Sequence, residues 1–189
     1  MKAFRRTTGR VAVLDRGDVD TDQIVPKQFL KRIERTGFGE FLFFDWAKEP
    51  QFELNRPDAE RACILVTGRN FGCGSSREHA VWALQDYGFE VVVAPSFGDI
   101  FRTNSLKAGL LTVVLPEDQV RALMDEGSGH ELTADLEEQT IGPYHFEFDS
   151  FDRRRLLEGL DDIGLTLQHE DRIAAFEAFR RSPISTTAL

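Results

Sequence analysis

The chain has 189 residues, 41% of them hydrophobic and 29% charged, and 32 Asp+Glu against 23 Lys+Arg leave a net charge of −9. That length supports one domain, 1–189, with a substantial core, and the acidic balance speaks against a nucleic-acid partner, since the densest basic cluster is the short Arg153-Arg154-Arg155. No apolar run approaches the roughly 18–20 residues of a membrane span, and no apolar core follows Met1-Lys2-Ala3-Phe4-Arg5-Arg6 as a secretory signal requires.

Val11-Ala12-Val13-Leu14 predicts a first strand, followed by an acidic, turn-like segment from Asp15 to Asp22 that Pro26 closes. Gln28 to Arg35 has the pattern of a short helix stopped at Gly37. Phe38, Phe41, Phe43, Phe44 and Trp46 cluster as core aromatics, and the polar stretch 47–61 is expected to be loop. Next come strand 62–67, helix 76–88, strand 90–94, a helix near 97–108, strand 111–115 and helix 117–126, with Pro116 at its entrance. Strands spaced by helices of this length predict parallel β-α-β units. Alternation over His130–Leu136 and Tyr144–Phe148, with Gly142-Pro143 between them, predicts an antiparallel hairpin. Helices are expected at 151–159 and 169–181, the second amphipathic through Ile173, Phe176, Glu177 and Arg180, and 182–189 is expected to be a loose tail.

The chemistry concentrates in Asn70-Phe71-Gly72-Cys73-Gly74-Ser75-Ser76-Arg77-Glu78-His79-Ala80, between a strand and a helix start. Glycines there let the backbone approach a ligand closely. Two hydroxyls and a guanidinium at a helix N-terminus suit a small carboxylate. A simpler reading competes: Ser75 and Glu78 fit a capping box. The functional reading needs Gly72-x-Gly74, the serine and Arg77 together. N–H groups stabilise a serine alkoxide, and Arg77 grips a carboxylate with its two-pronged fork.

Cys73 has no CxxC partner and is expected to be a small turn or buried residue; His79 is expected to pack rather than act on Ser75, four residues before it. The pattern G-x-S-x-G is absent, so a serine hydrolase has weak support. Asp18, Asp20 and Asp22 alternate but fail the calcium-loop spacing, and a solvated loop is the plain alternative. His130, His145 and His169 form no metal motif, and two cysteines make no disulfide framework, so a reduced cytoplasmic setting is expected.

Four segments together resemble one family: Asp20-Thr21-Asp22-Gln23-Ile24, the stretch Asn70 to Ala80, Ala94-Pro95-Ser96-Phe97, and Gly164-Leu165-Thr166-Leu167-Gln168-His169. They look like the bacterial small subunits of 3-isopropylmalate dehydratase, stand-alone forms of the aconitase swivelling domain. The resemblance runs from about residue 10 to 180. It implies an α/β fold of swivelling β/β/α type, with a mixed sheet or barrel-like core flanked by helices. It implies that Ser75 is the catalytic base, that Ser76 and Arg77 bind substrate carboxylate and stabilise the alkoxide, and that Asp22, near the active site, is a second catalytic residue. It places Lys31, Arg32 and Arg35 in a substrate-sensing loop without fixing their roles.

Aconitase-type chemistry also implies a [4Fe–4S] cluster on three cysteines. This chain has two, so no cofactor is expected on it and the cluster is expected on a large, iron–sulfur subunit. A small dicarboxylate is the expected substrate. Small subunits of homoaconitase or of a related hydro-lyase remain open as alternatives, as does a non-catalytic anion- or partner-binding module.

Overall fold

The protein is described here by a computed structural model over residues 1–31 and 36–179. Its backbone is one mixed sheet in the order β4-β3-β2-β1-β5-β6-β7. The strands are β1 (Arg6–Leu14), β2 (Ile64–Thr67), β3 (Val91–Ala94), β4 (Leu111–Val114), β5 (Glu131–Asp135), β6 (Thr140–Ile141) and β7 (Tyr144–His145). The inner half of β1 pairs parallel with β2, Val11 opposite Ile64 through Leu14 opposite Thr67. Its outer half pairs antiparallel with β5, Arg6 opposite Asp135 through Arg10 opposite Glu131. β1 thus joins a parallel half to an antiparallel half.

The predicted β-α-β rhythm holds. Helices α2 (Glu78–Tyr87), α3 (Asp99–Ala108) and α4 (Glu117–Asp125) alternate with β2, β3 and β4. Strands covered on both faces read as nearly continuous apolar runs, and all four residues of β2 and of β3 are buried, the one polar residue, Thr67, donating its hydroxyl to Arg16 O. On one face Leu65, Val92 and Ala94 meet Ala80, Val81 and Leu84 of α2, with Phe38 and Phe43 of the aromatic segment. On the other, Ile64, Val66, Val91 and Val93 meet Val120 and Leu123 of α4, with Leu132 and Ala134 of β5. The aromatic segment is core as expected: Phe38 and Phe43 are fully buried, and Phe43 stacks on Trp46 at 5.5 Å.

Several boundaries differ from the sequence expectation. The segment 130–136 does not pair with 144–148; β6 intervenes and is the partner of both β5 and β7. The Asp135 carboxylate causes this by accepting the N–H groups of Glu137 and Glu138 at 2.9 and 3.0 Å, which turns the chain before Gly142-Pro143 is reached. The acidic segment before Pro26 is not all loop. It contains α1 (Thr21–Ile24), capped reciprocally by Asp20 and Gln23. The expected helix 28–35 is described only as a turn at Lys27–Phe29; residues 32–35 lie outside the described residues.

At the end, α5 (Ser150–Glu158) matches expectation, but two helices follow, α6 (Asp162–Leu167) and α7 (Glu170–Phe179). Asp161 starts α6 by accepting the Gly164 N–H at 2.7 Å. The apolar spacing of α7 does not produce a buried face: Ile173 and Phe176 stay 38% and 60% exposed. Arg180 and the tail 182–189 lie outside the described residues.

Candidate active site

Loops leaving the carboxyl ends of neighbouring parallel strands meet at one end of a sheet, where open α/β sheets place ligands. Here the chain after β1, β2 and β3 supplies residues 15–20, 68–77 and 95–98. The three continue the parallel pairing beyond the strands, through bridges joining Asp20 to Cys73 and Phe71 to Phe97. Gly72 N–H donates to Val19 O at 2.7 Å, and Gly98 N–H to Phe71 O at 2.9 Å. Asn70 Nδ2 donates to the Asp18 carboxylate at 2.9 Å.

Gly72 is required here twice over. Its φ is +73°, and an added Cβ would stand 2.2 Å from Cγ of Phe101. The turn then rises to the surface: Gly74, Ser75 and Ser76 are exposed. The capping reading of Ser75 does not hold. Helix α2 begins at Glu78, its N-cap is Arg77 in extended conformation (φ −146°, ψ 109°), and no side chain caps it. Among the described residues the Ser75 hydroxyl has no partner, and the N–H groups of Ser75, Ser76 and Arg77 meet no acceptor. Unpaired amides in the same turn as an exposed hydroxyl are the kind of donor that stabilisation of an oxyanion requires.

Thr21 and Cys73 are joined by a backbone bond at 2.9 Å, and the Thr21 hydroxyl donates to the Ser75 carbonyl at 3.0 Å. Arg77 is 13% exposed and reaches Asp22, which is 50% exposed. Nη1 meets Oδ1 at 2.5 Å and Nη2 meets Oδ2 at 2.9 Å. The fork expected to hold a ligand is thus closed on an internal carboxylate. Among the described residues two of the five guanidinium N–H donors are engaged, so the Nε edge is open to a second anion. The hydrogen bond from Arg77, aided by the Lys27 amide and charge, holds the Asp22 carboxyl below its usual range. Asp22 is ionised at neutral pH and orients Arg77; it is no proton donor there.

His79 lies edge-on to Phe38 at 5.1 Å and tilted against Trp82 at 4.7 Å. Burial lowers its pKa, so the imidazole is neutral. Among the described residues it makes no hydrogen bond to Ser75, in keeping with a packing histidine. Each acid of the alternating trio has a separate use: Asp18 holds Asn70, Asp20 caps α1 and Asp22 holds Arg77.

The cysteines do not fit an iron–sulfur cluster. Cys63 precedes β2 at its opposite end from Cys73 and packs against Gly9. Burial raises the pKa of both thiols, and Asp20 and Asp18 raise that of Cys73 further. Among the described residues no group of three or more His, Cys, Asp or Glu could hold a metal ion. Lys31 is exposed, and Arg32 and Arg35 lie outside the described residues. Among the described residues no helix is long and apolar enough to cross a membrane.

The sheet and its glycine-serine turn define an aconitase-type swivelling domain, and residues 1–118 match the aconitase C-terminal domain. Residues 162–182 match the C-terminal domain of the 3-isopropylmalate dehydratase small subunit. Curated relatives include the 3-isopropylmalate dehydratase small subunits of Halalkalibacterium halodurans (54% identical over 95% of this chain and 100% of the relative) and Rubrobacter xylanophilus (55%, over 95% and 96%). That of Parafrankia sp. is 55% identical over the whole of both chains. A crystal structure of 3-isopropylmalate dehydratase from Methanocaldococcus jannaschii superposes with a TM-score of 0.67 at 25% identity, covering 91% of this chain and 99% of that one. The chain belongs to the 3-isopropylmalate dehydratase small-subunit family.

Proposed function

We propose that the chain is the small subunit of a 3-isopropylmalate dehydratase, a hydro-lyase of leucine biosynthesis. It converts 2-isopropylmalate to 3-isopropylmalate by removal and return of water, in complex with a large subunit. One observation carries this reading: an exposed serine shares its turn with N–H groups unpaired among the described residues and with an arginine anchored to Asp22. That arrangement supplies a base and an anion grip but no electrophile. An iron–sulfur cluster on the large subunit is the proposed Lewis acid for the leaving hydroxyl.

On this chain, Ser75 Oγ takes the proton from the carbon next to the one that loses hydroxide, and gives it back when water adds in the other sense. The N–H groups of Ser76 and Arg77 and the guanidinium charge stabilise Ser75 as an alkoxide. The Nε edge of Arg77 and the Ser76 hydroxyl receive a substrate carboxylate. Lys31, Arg32 and Arg35 belong to the loop proposed to meet the substrate's variable group. The exposure of Ser75 and Ser76 supports a site completed by the partner. Free cysteines suit a reducing cytoplasm.

The test is reconstitution with a large subunit and an assay against 2-isopropylmalate, homocitrate, citraconate and citrate. Selective turnover of 2-isopropylmalate is expected. Ser75→Ala should assemble normally and lose about 10²–10⁴ in kcat, the usual worth of a general base. Near-normal turnover by that variant removes Ser75 from the mechanism; preference for homocitrate replaces the substrate.

A further inference from the structure

Among the described residues the hydroxyl of Ser75 has no hydrogen-bond partner that orients it, yet proton transfer demands placement within a fraction of an ångström. A misplacement of about 1 Å costs on the order of 10²-fold in rate. Val19 holds the start of the turn by accepting the N–H groups of Gly72 and Cys73 at 2.7 and 3.2 Å, and one further residue on the same loop holds the part that carries the serine. Thr21 is 2% exposed and opens α1, whose start is held by the Asp20–Gln23 capping box. From that rigid seat its N–H donates to the Cys73 carbonyl at 2.9 Å, and its hydroxyl donates to the Ser75 carbonyl at 3.0 Å. It therefore holds both ends of Cys73-Gly74-Ser75, whose middle residue has a φ of +90° and no side chain to resist motion. Beyond Ser75, Arg77 is tied to Asp22, the residue after Thr21, so α1 sets the turn and the guanidinium together.

We infer that Thr21 is a positioning residue for Ser75, its buried hydroxyl setting where the serine oxygen stands. This rests on the dehydratase reading. Its hydrogen bond runs to the backbone of the reacting residue, not to substrate, so its loss acts on the chemical step more than on binding.

Valine and serine replacements separate this role from a structural one. If Thr21 only fills space, valine, which keeps both side-chain branches, is the better replacement. If it positions by donating, serine is better. In the reconstituted complex acting on 2-isopropylmalate, Thr21→Val is expected to lower kcat by roughly ten- to a hundredfold with KM within about twofold. Thr21→Ser should keep kcat within about threefold, even if its thermal midpoint falls below that of Thr21→Val. In the small subunit alone, backbone order parameters at Gly74, Ser75 and Ser76 should stay near the rigid value of about 0.85 in wild type and Thr21→Ser, and fall below about 0.6 in Thr21→Val. Unchanged kcat in Thr21→Val, equal losses in the two variants, or a turn equally ordered in both overturns the inference and leaves the dehydratase reading standing. A wild-type complex with no turnover of 2-isopropylmalate overturns that reading instead, and the order parameters still decide whether Thr21 fixes the turn.

Discussion

Adding one methyl group at Gly72 tests how tightly the serine turn is built into the core. In Gly72→Ala the new Cβ would lie 2.2 Å from Phe101 Cγ and 2.6 Å from its Cβ and Cδ2. Phe101 has no room to withdraw: it is 2% exposed, edge-on to Phe71 at 5.4 Å and stacked on Phe97 at 6.1 Å. Overpacking of this kind costs about 1–3 kcal/mol. The left-handed backbone, with φ at +73°, adds about 1–2 kcal/mol for a residue with a Cβ. The expected total is about 2–5 kcal/mol, which for a domain of this size lowers Tm by roughly 4–20 °C. Gly127→Ala is the matched control, since its φ is +79° but nothing lies within 4 Å of the new methyl. It should cost about 1–2 kcal/mol. Urea denaturation of both variants reads the difference. If the turn rather than Phe101 gives way, the loss appears in kcat of the reconstituted complex. A Gly72→Ala protein as stable as Gly127→Ala and fully active would refute the packing argument.

Three further outcomes follow from the Arg77–Asp22 pair and from His79. Arg77→Lys should still assemble but raise KM by roughly ten- to a hundredfold, because a point charge cannot serve Asp22 and a substrate carboxylate at once, and charge-assisted bonds contribute about 1.5–3 kcal/mol; unchanged KM and kcat count against the grip. The Asp22 carboxyl titrates below its usual range, so whatever the pair contributes is complete above that range and is lost as pH falls through the lowered value. The pH–rate profile between about pH 5 and 8 should therefore contain no inflection that Asp22→Asn removes, and finding one would overturn the assignment. For His79, a lowered pKa means the neutral ring is favoured in the fold: stability is full above about 6.5 and declines as pH falls through the folded value. His79→Phe should make unfolding free energy less steep between pH 7 and 5, and identical slopes would contradict that.

Much of this was legible in the chain because parallel strands buried on both faces advertise themselves. Ile64-Leu65-Val66 and Val91-Val92-Val93 admit little else, and the glycines around Cys73 mark a turn that must pass close to other backbone. What stayed hidden depended on tertiary contacts. The capping box at Asp20 and Gln23 is present in the sequence but was outweighed by the acidic, turn-like composition around it. The capping pattern at Ser75 was equally good locally and is not used, because Thr21 pulls that carbonyl toward another loop. Pairing of Arg77 with Asp22 spans 55 positions and leaves no local trace. Likewise the early turn at Asp135 depends on a carboxylate finding two amides, which alternation alone does not reveal.

The shared strand β1 restricts how this protein can change length. Its outer five residues are in register with one neighbour and its inner four with another running the opposite way. Inserting or deleting one residue between Arg10 and Val11 would keep either set of partners only by inverting the in-and-out alternation of the other. Descendants of this gene should therefore tolerate insertions in the exposed stretch 47–51 of the connection from β1 to β2, while that one boundary keeps its spacing to the residue.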